Sequence, residues 1–172
     1  MKVTVIGNGL SRRPIPLDKI SGTTIGCNEI FEEFTPDYIC VVDQRVMKSL
    51  YESDYNNPVY YRHKALRGDV DTPKHNWHSP DFLQYNNSGN AGLELAIHLG
   101  ATEIDLLGFD CGPGRLLRLS YMKDAQFDLW AKYLIFKSTQ HKGIRRIISQ
   151  ESTPIPDVPS ISVEDYIKEL DI

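Results

Sequence analysis

Short apolar runs, most of them stopping at Gly or Asp, recur along this chain and alternate with amphipathic stretches. That order restricts the fold more than any other feature of the sequence. Lys2–Ile6 is β-branched and ends at Gly7-Asn8-Gly9. Residues 23–25 form a second short strand before Gly26-Cys27-Asn28, and 38–42 a third, ending at Asp43. Val59–Tyr61 reads as a weaker strand, Glu103–Leu107 as a buried one ending at Gly108-Phe109-Asp110, and Ile144–Ile148 as the last. Near-continuous apolar strands belong to sheets covered on both faces. Between them the spacing predicts helices over 44–51, 90–99 and 123–137. Asn28 is placed to cap 29–34, Ser88 to cap the helix beginning at 90, and Gly100 to end it. Alternating strands and helices of this length predict an α/β fold, a doubly wound and mostly parallel sheet.

The 172 residues suit one domain, with residues 1–152 as its body. Residues 63–85 show little periodicity and carry Pro73, Pro80, Trp77 and three histidines, which predicts a long loop or lid. Residues 153–172 form a Pro-rich tail in which Ser162 caps a short final helix. That helix is expected to dock on the body or on another subunit, leaving a homo-oligomer open. Cys27, Cys40 and Cys111 form no CxxC pair and read as buried small hydrophobes. No apolar run approaches the roughly 20 residues of a membrane helix, and Met1-Lys2 leads straight into a strand. The expected compartment is the cytoplasm. A net charge of −4 gives no footprint for nucleic acid, whereas Arg12-Arg13, the 62–67 cluster, Arg115 and Arg118 suit a small anion.

In a doubly wound sheet, ligands sit beyond the carboxyl ends of the strands, and the chemistry-bearing residues share that address. The Gly7-Asn8-Gly9 turn, with Ser11 behind it, can bring backbone N–H groups close to a phosphate. Arg12 stands where a dinucleotide fingerprint expects its third Gly. Asn28 can meet ribose hydroxyls or a base edge, and Ser88-Gly89 at a helix start can meet an anion. The same residues also serve as ordinary turns and caps. Asp43 and Asp110 are candidate hydroxyl acceptors, bases, metal ligands or caps. His75 and His78 stand three apart in the presumed lid, with Asp69, Asp71 and Asp81 near them in sequence only. No metal site is therefore expected. The cluster of Arg62, His63, Lys64 and Arg67 can neutralise a phosphate or carboxylate.

Three motifs together, 5–11 (VIGNGLS), 26–28 (GCN) and 87–89 (NSG), followed by 96–110 (AIHLGATEIDLLGFD), resemble the bacterial lipooligosaccharide sialyltransferases. More distantly they resemble the motility accessory factor and archaeal pterin pyrophosphokinase group. The resemblance, spanning roughly residues 2–112 with gaps, implies a Rossmann-like domain. It further implies a nucleotide-sugar ligand such as a CMP-linked sugar, held without a metal or other cofactor by Gly7, Asn8, Gly9, Asn28, Ser88 and Gly89. The chain departs from the family at Leu10, where the family has Pro. It departs again at 116–121, where the family carries its general-base His and this chain has none; His141 comes only after the long helix. The residues left as catalytic candidates are His63, His75, His78, Tyr121, Asp43 and Asp110. Tyr121 has an ordinary pKa of about 10, which makes it a poor base at neutral pH. Three readings follow: a glycosyltransferase-like enzyme, another nucleotide enzyme (phosphotransferase or nucleotide-sugar hydrolase), and a protein that captures a nucleotide without turning it over.

Overall fold

The computed structural model describes residues 1–63, 73–83, 87–112 and 124–171, with 124 and 125 by backbone alone. Eight parallel strands form one sheet in the order β5-β4-β3-β2-β1-β6-β7-β8. They are β1 (Lys2–Ile6), β2 (Thr23–Cys27), β3 (Tyr38–Val41), β4 (Val59–Tyr61), β5 (Trp77–His78), β6 (Glu103–Leu107), β7 (Ile144–Ile148) and β8 (Ser160–Ser162). The helices are α1 (Gln44–Glu52), α2 (Ser88–His98), α3 (Asp124–Gln140) and α4 (Val163–Glu169). The predicted α/β class, a doubly wound parallel sheet, is what the chain adopts.

Strand alternation divides the core. Val3, Val5, Ile25, Ile104, Leu106 and Ile144 turn to one face, where they pack with Ala91, Leu95 and Ala96 of α2 and Leu134 of α3. Ile6, Ile39, Val41 and Val59 turn to the other and meet Val46, Met47 and Leu50 of α1. On that same side Leu107 and Ile147 are covered by Val163 and Tyr166 of α4. A fully buried side chain of this size contributes about 1.5–3 kcal/mol, so the strands need helices on both faces. The final helix docks on the body: Arg145 bridges Asp105 of β6 and Glu169 of α4, and Ser162 caps α4 by accepting from Asp165 N at 3.0 Å.

Several local expectations change. Asn28 does not cap the 3₁₀ helix Asn28–Glu32; it lies inside it at φ 54, with Cys27 at the N-cap position. Asn87, not Ser88, caps α2, accepting from Asn90 N at 2.8 Å, and Ser88 is the first helical residue. The presumed lid is partly ordinary sheet, because Trp77–His78 pairs with β4 and buries the Trp77 ring among Tyr51 and Tyr61. The Pro-rich tail supplies β8, parallel to β7. All three cysteines are buried thiols. No helix among the described residues is long and apolar enough to cross a membrane.

Candidate functional site

Strands β2 to β5 extend from β1 on one side and β6 to β8 on the other, so the order in which strands are added reverses between β1 and β6. Connections diverge there and leave a crevice at the carboxyl edge. A cavity of about 190 Å³ occupies it. Gly7 and Asn8 come from the end of β1, Cys27 to Glu29 from β2, Val42 and Asp43 from β3, and Gly108 to Cys111 from β6. The first turn of α2, from Asn87 to Asn90, forms one wall, and Trp130 and Leu134 of α3 another.

The amide of Asn28 is oriented by its neighbours. Ser88 Oγ donates to Asn28 Oδ1 at 2.6 Å, which fixes the amide with its oxygen toward Ser88. The Cys27 thiol donates to the Ser88 carbonyl at 3.3 Å, joining the end of β2 to the start of α2. Burial pushes that thiol up to about 12, which makes it a structural donor and not a nucleophile. Asn87 satisfies the Asn90 N–H, while the N–H groups of Ser88 and Gly89 belong to the helix end that has no intrahelical acceptor. Together with the helix dipole they give this wall a positive electrostatic character. Asn8 Oδ1 is buried with no protein partner among the described residues. A buried acceptor left so is unfavourable until something donates to it.

The glycine turn works differently from the expectation. Gly7 N and Gly9 N donate to Leu107 O at 2.7 Å and Gly108 O at 2.9 Å, and Ser11 N donates to Asp110 Oδ2 at 2.9 Å. These N–H groups hold two loops together. A Cβ on Gly9 would fall 2.4 Å from Asp110 Oδ2 and 2.6 Å from Gly108 O. The glycine therefore permits loop-on-loop contact. Of the sequence-derived candidates, Gly7, Asn8, Asn28, Asp43, Ser88, Gly89 and Asp110 line the cavity; Gly9 and Ser11 stand behind it.

Asp43 caps α1, accepting from Arg45 N at 2.9 Å. Asp110 is buried and accepts from Ser152 Oγ at 2.6 Å as well as from Ser11 N. His63, His75 and His78 are exposed and lie outside the lining, with the His78 ring tilted against Tyr60. Tyr121, Lys64, Arg67, Arg115 and Arg118, with the 116–121 stretch, lie outside the described residues. Among the described residues no three His, Cys, Asp or Glu side chains are grouped to hold a metal. Sequence reasoning missed Arg146, whose buried guanidinium donates to the carbonyls of Phe109 and Thr153 at 3.0 Å each. It also missed Trp130 and Leu134. The i, i+4 spacing of those two could have put them on one helix face but gave no sign of a cavity.

No protein-family model matches the chain, and no curated protein sequence matches it significantly. Solved structures do. The sialyltransferase CST-II in complex with a trisaccharide acceptor and CMP matches with TM-score 0.58 and 15% identity, over 85% of this chain and 80% of that one. CstII from Campylobacter jejuni in complex with cytidine-5'-monophosphate gives 0.59 and 15%, over 92% and 86%. The MAf glycosyltransferase from Magnetospirillum magneticum AMB-1 gives 0.62 and 12%, over 99% of this chain but 36% of that protein. This chain therefore has the Rossmann-like fold found in these glycosyltransferases. The resemblance of the strand-end motifs is met at the level of fold.

Proposed function

We propose that the crevice binds a nucleotide or a nucleotide-linked sugar, such as a CMP-linked sugar, in a glycosyltransferase-like protein whose general-base His is absent. One observation carries the reading: the ends of β1, β2 and β6 and the first turn of α2 close on a single cavity. There Asn28 presents an oriented donor, Asn8 an acceptor with no partner among the described residues, and α2 its N–H groups. Those groups suit hydroxyls, a base edge and an anion within one ligand. The CMP complexes of the sialyltransferases with this fold support the choice of nucleotide.

A second reading, capture without turnover, is favoured by two of the three carboxylates that line the cavity. Asp43 is engaged as a cap and Asp110 as a tie between loops, so both already serve the fold. With no base in the family's position, donor hydrolysis or transfer is slow, since a positioned base contributes about 10²–10⁴-fold. Titration calorimetry with CMP tests the binding. Incubation with a CMP-linked sugar and detection of released CMP separates turnover from capture.

A further inference from the structure

Two consecutive arginines on β7 face opposite sides of the sheet and do different work. Arg145 turns toward α4 and pairs with Asp105 and Glu169. Arg146 turns toward the cavity edge and is 2% exposed. Its donors go to backbone oxygens: Nε to Phe109 O at 3.0 Å, Nη1 to Thr153 O at 3.0 Å and Nη2 to Asp110 O at 3.4 Å. Desolvation lowers the pKa of this guanidinium, the expected effect of burying a cation among carbonyls.

The turn after β7 adds a second set of ties to the same loop. Ser152 Oγ donates to Asp110 Oδ1 at 2.6 Å, Thr153 N to Asp110 O at 2.8 Å, and Thr153 Oγ1 to Cys111 O at 2.9 Å. From the β1 side, Ser11 N donates to Asp110 Oδ2 at 2.9 Å. The held segment, Phe109, Asp110 and Cys111, lines the cavity, and Cys111 lies at φ 52. A non-glycine residue keeps that conformation only where its surroundings over-determine it.

We infer that Arg146, Ser152 and Thr153 are positioning residues, forming a brace outside the cavity that fixes the Phe109–Asp110–Cys111 wall in its ligand-binding shape. The effect on affinity rests on the nucleotide-binding reading; the effect on the loop does not. The brace acts on the loop locally, since Ser152 and Thr153 belong to a surface turn and to none of the three apolar clusters.

Cys111 supplies a readout of the loop alone, with buried Cys27 and Cys40 as references in the same molecule. Alkylation by iodoacetamide, followed at each cysteine by peptide mass spectrometry, is compared in wild type, Ser152→Ala, Thr153→Val, Arg146→Lys and, as control, Arg145→Gln. Each lost tie should speed Cys111 alkylation about three- to tenfold, the opening expected from one net hydrogen bond, with Cys27 and Cys40 unchanged. Arg145→Gln should lower thermal stability without selective opening at Cys111. CMP serves as the ligand probe, and its dissociation constant should rise about three- to tenfold in Thr153→Val. Cys111 rates equal to wild type in all three brace variants would overturn the inference, as would equal acceleration at all three cysteines. Unchanged CMP affinity in all three variants would overturn it too. If wild type ignores CMP while Cys111 still responds, the brace stands and the nucleotide reading falls.

Discussion

Asn28 combines an unusual backbone with a directed side chain. Its φ of 54 is a left-handed conformation that Asn tolerates better than most residues, and Ser88 fixes which end of its amide faces the cavity. Asn28→Gly keeps the backbone and removes the amide. We expect its stability to stay within about 1 kcal/mol of wild type, since glycine suits positive φ but is freer when unfolded. CMP binding should weaken about tenfold, the size of a lost hydrogen bond at the upper end of its range. Thermal denaturation and calorimetry on the same sample check both halves. Gly9 should behave oppositely. Gly9→Ala sets a methyl group against Asp110 and Gly108 and should cost about 1–3 kcal/mol in urea unfolding, whether or not ligand is present. From sequence alone, a glycine beneath a phosphate and a glycine beneath another loop look the same. The Asn28 motif was legible as part of the strand-end crevice, but the cap expected of it does not form, because one amide chemistry serves caps, left-handed turns and ligands alike.

At the scale of elements, apolar and β-branched runs announced themselves as strands, down to the three residues of β4, and two other short strands did not. Trp77–His78 and Ser160–Ser162 are too brief for any periodicity, and they join the sheet because β4 and β7 offer open edges. Helix α4 was legible through its Ser162 cap, but its anchor was not, since Arg145 and Arg146 read only as charges in a strand. Arg145 holds the Glu169 carboxyl below its ordinary 4.5. A depressed folded-state pKa stabilises the protein fully above the unfolded value and loses that effect as pH falls through the folded value. The melting-temperature gap between wild type and Glu169→Gln should therefore be constant near neutrality and close below pH 4.5. The gap will be small, because the pair is partly solvent-exposed and screened. A gap that widens on acidification would contradict the assignment.

For the whole molecule, the reversal of strand order between β1 and β6 decides where a ligand can go, and alternation in the sequence sufficed to predict that edge. The three-dimensional meeting of Asn8, Asn28, Ser88 and Asp110 could only be guessed at, because their separations along the chain say nothing about distance. The most direct test of the central claim is calorimetric titration of CMP into wild type and Asn28→Gly, each with and without EDTA. The account predicts saturable binding to wild type, indifferent to EDTA, since the cavity meets an anion with N–H groups and the described residues group no metal ligands. It also predicts clear weakening in Asn28→Gly. Absence of saturable binding, equal affinity in the two proteins, or binding abolished by EDTA would contradict it.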